Sequence, residues 1–170
     1  MKKQFLILFI FLIASYFSFS QQENPEPGYP KIVGFASILH PLVSVDKNGN
    51  TFNFKNSYTI GFPVGINIIK TSKIGFSLEI VPYIKSAKGI DQVSNLLIHP
   101  GLMFLLKRDY KLIMRMAFET EGRYGLTPTL NKTLIKTKNI NYLVAASAPL
   151  RFGNEKPPSI GLSFQFGICF

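Results

Sequence analysis

Seven side chains could carry acid–base or charge chemistry: Glu79, His99, Arg115, Glu119, Glu121, Arg123 and Arg151. A histidine set between carboxylates can act as a general base or a proton relay, and an arginine facing a carboxylate forms a salt bridge. These residues are scattered along the chain, so only elements running side by side can bring them together. A histidine between two glutamates is expected to hold its proton, which suits a structural cation better than a base. The sequence has two histidines, His40 and His99. Neither falls in a metal-ligand spacing, and no serine or cysteine sits in a recognisable nucleophile motif. No catalytic, metal-binding or cofactor-binding residue is therefore expected, and the seven polar residues read as structural or pore-lining.

The elements that would position them are strands. Residues 160–170 alternate without an error: Ile160, Leu162, Phe164, Phe166, Ile168 and Phe170 against Gly161, Ser163, Gln165, Gly167 and Cys169. A strand turns successive side chains to opposite faces, so this segment has one apolar and one lean face. Tilted near 45°, it covers roughly 25 Å, the height of the apolar band of an outer-membrane barrel. The same period runs through 58–69, 74–84, 95–106, 110–124 and 141–152, and less regularly through 31–43. In that first segment Val33, Phe35, Leu39 and Val43 are expected to face outward, with Gly34, Ala36 and His40 inside. His40, just before Pro41, also reads as a packed residue near the outer rim.

Seven such strands have the wrong parity for an up-and-down barrel with both ends of the chain on one side. An eighth strand is therefore placed over 129–136, from topology and not from its own pattern, with a turn near 137–139. Breaks at 46–56 and 85–93 read as long loops, and those at 70–73 and 107–109 as tight turns. Hairpin geometry then sets Glu79 opposite His99, His99 near Glu119, and Met103 opposite Arg115. Charge inside a narrow barrel is costly unless paired, so a salt-bridge network filling the lumen is expected.

Alternation alone does not say which face meets water, because a soluble lipocalin-like barrel has the same period with its faces reversed. The lean face decides. It carries Gly, Ser, Asn, Gln, Thr and Ala with a few charges of both signs, where a water-exposed face would carry many Lys and Glu. Aromatics at strand ends, such as Tyr58, Tyr110, Tyr124 and Tyr142, suit interfacial girdles. The fold class expected is all-β, an antiparallel up-and-down transmembrane β-barrel of eight strands.

At the start of the chain, Met1-Lys2-Lys3, an apolar run over 5–14 and the small residues of Ser18-Phe19-Ser20 at the cleavage positions, Ser18 and Ser20, read as an export signal cleaved before Gln21. Residues 21–30 are expected to be a flexible lead-in, and 31–170 the barrel. The single cysteine, Cys169, precludes an intramolecular disulfide and reads as a small lumen filler. Hydrophobic residues make up 46% of the chain and charged ones 16%, with a formal charge of +10. The bases fall mainly in predicted turns and loops, as a solvated rim or as contacts to lipopolysaccharide phosphates. No basic–aromatic stripe suggests nucleic acid.

The export signal and the terminal strand ending in Phe170 together resemble small bacterial outer-membrane β-barrel proteins of the OmpX/OmpA transmembrane-barrel type. The resemblance implies the outer membrane of a Gram-negative bacterium, both chain ends on the periplasmic side, and outer-membrane lipid and lipopolysaccharide as surroundings. It also implies that Phe164, Phe166, Ile168 and Phe170 form an assembly signal read by the barrel-assembly machinery. The function expected is that of a non-enzymatic barrel with a side-chain-filled lumen, acting through surface loops on a partner the sequence does not specify. A narrow porin-like channel for small or hydrophobic solutes is the alternative, and a membrane-embedded hydrolase built on His99 a third.

Overall fold

A computed structural model describes residues 28–55 and 57–170. The expected export signal and residues 21–27 of the lead-in lie outside the described residues. The described residues form eleven strands: β1 (Lys31–Asp46), β2 (Gly49–Phe52), β3 (Tyr58–Gly61), β4 (Val64–Ile69), β5 (Ile74–Ala87), β6 (Ile90–Leu105), β7 (Tyr110–Glu119), β8 (Tyr124–Lys136), β9 (Asn141–Ser147), β10 (Leu150–Phe152) and β11 (Ser159–Cys169). Their pairings are antiparallel, and β11 returns to pair with β1, so the sheet closes on itself through eight strands. β3 and β4 are one strand in space, interrupted at Phe62-Pro63, and they keep a common register against β5. β9 and β10 likewise flank Ala148-Pro149 in one register against β8. Each break brings a proline beside a second one on the neighbouring strand, Pro63 by Pro82 and Pro149 by Pro128, and proline lacks the N–H that the ladder needs.

Alternation orients most strands as expected. Ser77, Glu79 and Val81 of β5, His99 and Met103 of β6, and Ser163, Gln165 and Cys169 of β11 are buried inside. Their neighbours Phe76, Ile80, Leu102, Phe164 and Phe166 stand exposed on the outside. The first strand is a correction. Phe35 and Leu39 point inward and are buried, while Ile32 and Ile38 face out. Both faces of β1 carry apolar residues, so its own pattern does not choose; the opposing strand does. Gly65 lies across from Phe35, and a Cβ there would come within 2.7 Å of the Phe35 ring, so the inward space at Gly65 belongs to that ring. A bulge between Pro41 and Val43 then flips the phase, which returns Val43 to the outer face.

The strand inferred from parity is present and longer than expected. β8 begins at Tyr124, and residues 120–123 form a tight turn closed by Glu119 N–H to Arg123 O at 2.8 Å. Its inward residues Thr127, Thr129 and Asn131 are polar, but Pro128 and Lys132 break the apolar pattern outside, which blurs the alternation in the sequence. The two expected long loops are also corrected. β1 runs on to Asp46 and turns at Lys47-Asn48 into β2, and β5 turns at Lys88-Gly89 into β6. Both segments are hairpins that extend the wall at one end, called here the hairpin end. The tight turns 70–73, 107–109 and 137–139, the start of β1 and Phe170 lie at the other, the terminal end.

The β6–β7 register differs from expectation by two residues: Leu97 faces Glu119 and Gly101 faces Arg115. The turn centres on Arg108, with left-handed φ at Arg108 and Asp109, and Leu106 N–H bonds Tyr110 O at 2.8 Å. Met103 accordingly faces Ile113 and not Arg115. Gly101 is what allows the arginine in this register, since a Cβ would lie 2.5 Å from Met114 O and 2.7 Å from Arg115 Cγ. Gly101→Val is expected to lower the free energy of unfolding by about 1–3 kcal/mol, because the backbone carbonyl is unable to move aside. Denaturant titration of the variant checks this, and an unchanged midpoint would contradict the packing.

Candidate functional site

The interior is layered. At the terminal end Ile69, Met103 and Ile113 pack together beside Phe35, Leu143 and Cys169. Toward the hairpin end follow Ser77 and Glu79 on β5, Gly101 and His99 on β6 and Arg115 on β7, and after them Val81, Leu97 and Ala117, a further apolar cluster. Glu119 and Arg151 lie beyond it, toward the hairpin end. Each polar layer is thus separated from the next by a single apolar step along the strands.

In the middle layer Glu79 and His99 face each other across β5 and β6. Glu79 Oε1 lies 3.0 Å from His99 Nδ1, and Glu79 Oε2 lies 3.4 Å from Arg115 Nη2. Arg115 Nη2 also donates to Ser77 Oγ at 3.1 Å, and Gln165 Nε2 donates to Ser37 Oγ at 2.6 Å and to Glu79 Oε2 at 3.5 Å. One carboxylate is therefore shared by two cationic or donor side chains and an amide, all hidden from solvent. Taking such groups out of water is costly, and their mutual contacts offset that cost only when all are present. The Arg115 guanidinium also sits 5.9 Å from the centre of the Phe35 ring, which follows from the inward turn of β1.

The expected position of Glu119 beside His99 is a correction. Glu119 pairs instead with Arg151, Nε to Oε1 at 2.5 Å, and Arg151 Nη1 donates to Thr127 Oγ1 at 2.9 Å. The two-residue register shift sets Glu119 opposite Leu97, so His99 meets one glutamate and not two. Glu121 is not in the interior either. It sits in the 120–123 turn and pairs with Lys156 at 2.6 Å. Burial works to raise its pKa, but the Lys156 ammonium outweighs that and holds the carboxyl below its ordinary value. Asp109, exposed at the opposite end, is held low by its hydrogen bond to Lys136 at 2.5 Å. Arg123 lies at the mouth, where Nη2 donates to Arg151 O, Pro157 O and Ser159 Oγ at 3.1–3.3 Å. His40 lies on the outer face and contacts the Tyr58 hydroxyl at 2.9 Å.

Several members of the network were not singled out from sequence. Ser77 and Gln165 sit on the lean faces of β5 and β11, so alternation placed them inside, but only the closed ring brings β11 beside β5's carboxylate. No protein-family model matches the chain, and no curated protein matches it. Among solved structures, a chain described under de novo design of transmembrane β-barrels is similar at 10% identity, with 84% of this chain and 96% of that one covered and a TM-score of 0.47. A designed barrel solved by solution NMR is similar at 9% identity, with 85% and 96% covered and a TM-score of 0.47. The functional reading below rests on this chain's own geometry.

Two outcomes are expected of the charged groups. Glu79→Ala leaves Arg115 and His99 buried without their carboxylate and is expected to cost about 3–5 kcal/mol of stability, while adding Arg115→Met recovers part of the loss. Equal destabilisation of the single and double variants would show that the charges do not act as a pair. For Glu121, a folded pKa below the unfolded one means that the pairing stabilises above the ordinary carboxylate range and is lost as pH falls through the lowered value. Carboxyl titration by NMR is expected to show the depressed pKa in the native chain and its return toward the ordinary value in Lys156→Gln.

Proposed function

We propose that this closed sheet is an eight-stranded transmembrane β-barrel of the bacterial outer membrane, a non-enzymatic protein whose filled interior makes it a scaffold for its hairpin end. The observation that supports this most is the inversion of polarity across the wall. Ile38, Ile66, Phe76, Ile80, Leu102, Met116, Phe118, Leu130, Leu162 and Phe166 stand 40–61% exposed outside, while Glu79, His99 and Arg115 are 1–3% exposed inside. Monomeric soluble proteins rarely expose a continuous apolar belt of that extent, and a bilayer is the solvent that suits it. Closure of the ring gives the wall strands partners on both sides, as a lipid-facing sheet requires.

Charge at the two ends supports the same reading. Lys31, Lys70, Lys73, Lys107, Arg108, Lys111, Lys132, Lys136 and Lys138 cluster at the terminal end against the single acid Asp109, a formal +8 among the described residues. The hairpin end has six bases against Asp46, Asp91, Glu121 and Glu155, a formal +2. A basic collar beside an apolar belt meets anionic lipid headgroups favourably. With the chain ends on the periplasmic side, the collar faces phospholipid of the inner leaflet and the nearly balanced hairpin end faces lipopolysaccharide. Assembly through the apolar face of β11, with Phe164, Phe166, Ile168 and Phe170, belongs to this proposal. So does export by the N-terminal segment.

A conducting pore is less well supported. Val81, Leu97 and Met103 are 0–1% exposed and stand above and below the Glu79 layer, so side chains occupy the axis. Sealed between these layers, His99 is also hidden from any large substrate, which favours a structural role over hydrolysis. The expected result is incorporation into lipid vesicles with heat-modifiable gel migration, and no single-channel steps in planar bilayers. Phe166→Asp is expected to block insertion in cells. A mature chain that stays monodisperse in buffer without detergent would overturn the membrane reading, and reproducible conductance steps lost in Arg115→Ala would overturn the filled interior.

A further inference from the structure

The hairpin end carries a cavity of about 270 Å³ between β1, β2, β3, β5, β10 and β11, with Asn53 and Ser57 also on its wall. Among the described residues its charged lining is Lys85, Arg123 and Arg151, with no carboxylate. The hydroxyls of Ser44, Thr51, Thr59 and Ser163 share the wall with apolar Leu42 and Phe52. We infer that this cavity binds a small hydroxylated anion, a molecule of single-sugar size bearing a carboxylate or a phosphate.

The charge balance carries the argument. The nearby carboxylates, Glu119 and Glu121, line the adjoining cavity of about 340 Å³ and are already engaged, by Arg151 at 2.5 Å and Lys156 at 2.6 Å. Lys85 borders both cavities and has no ion pair among the described residues. Arg123 bonds neutral acceptors through Nη2 alone, and its Nε is buried without a hydrogen-bond partner. Lys85, Arg123, Arg151 and Lys156 thus outnumber Glu119 and Glu121 by two around the adjoining cavities, with Arg123 also within electrostatic reach of Glu121, and this excess of positive charge attracts an anion into the concave mouth. An anion supplies the missing partner through charge-assisted hydrogen bonds, the strong class for guanidinium and ammonium donors. The hydroxyl-bearing wall suits a ligand that is itself hydroxylated, and Phe52 and Leu42 offer surface to its C–H face. The volume lies at the small end of ligand pockets, which suits a ligand of single-sugar size.

The inference deepens the proposed role of the hairpin end and rests on that reading only for which side of the membrane the cavity faces. Binding is therefore tested on folded, detergent-solubilised protein, where failure to bind and failure to insert are separate results. Isothermal titration with glucuronate, glucose and inorganic phosphate is the experiment. Glucuronate is expected to bind, glucose not, and phosphate more weakly than glucuronate, with affinity falling as salt rises. Lys85→Gln is expected to weaken glucuronate about tenfold, the equivalent of one charge-assisted contact, while Lys85→Arg retains it and Lys47→Gln at the hairpin tip changes nothing. Equal binding of glucose and glucuronate, no heat with either anion, or an unchanged affinity in Lys85→Gln would each overturn the assignment.

Discussion

Closure of the sheet between β1 and β11 is the constraint on which the rest depends. Register runs from Phe35 opposite Cys169 to Asp46 opposite Ser159, and the seam is fastened at the terminal end by paired backbone bonds between Gly34 and Phe170 at 2.9 and 3.0 Å. An open sheet would leave β1 and β11 as unpaired edges and would expose Glu79 and Arg115 on one flat face. Closing it removes the edges and creates an inside, small enough that each inward side chain must be matched to its neighbours across the lumen.

That inside explains why the charges are arranged in layers. Glu79 accepts from His99, Arg115 and Gln165 on three other strands, so the middle layer ties β5, β6, β7 and β11 together. Glu119 and Arg151 do the same for β7 and β10, strands far apart in sequence. Such pairs contribute little net stability compared with well-packed apolar residues, but breaking one leaves an uncompensated charge, so they penalise wrong registers strongly. In the register of β6 against β7 that the turn at 107–109 allows, Gly101 opens the space and Arg115 fills it toward Glu79.

The two ends of the ring differ in kind. The terminal end has short turns and a dense basic collar. The hairpin end has taller walls, a nearly balanced charge and cavities whose cations are only partly neutralised. On the proposed reading the first is where the protein is held and the second is where it meets small solutes.

The order of residues along the chain was enough to determine the all-β class, the inward and outward faces of β4, β5 and β11, the Glu79–His99 contact and, by parity, the existence of β8. Each follows from a period of two, which is local and survives in any tertiary arrangement. Tertiary structure decided what local pattern leaves degenerate. β1 is apolar on both faces, so the space at Gly65 chose its orientation; a turn centred one residue earlier moved Glu119 from His99 to Arg151; and the presumed loops at 46–56 and 85–93 became hairpins because strands paired beyond their apolar stretches. Side-chain period records which residues share a face, whereas register, closure and the length of pairing depend on volumes and hydrogen-bond partners supplied by strands distant in the chain.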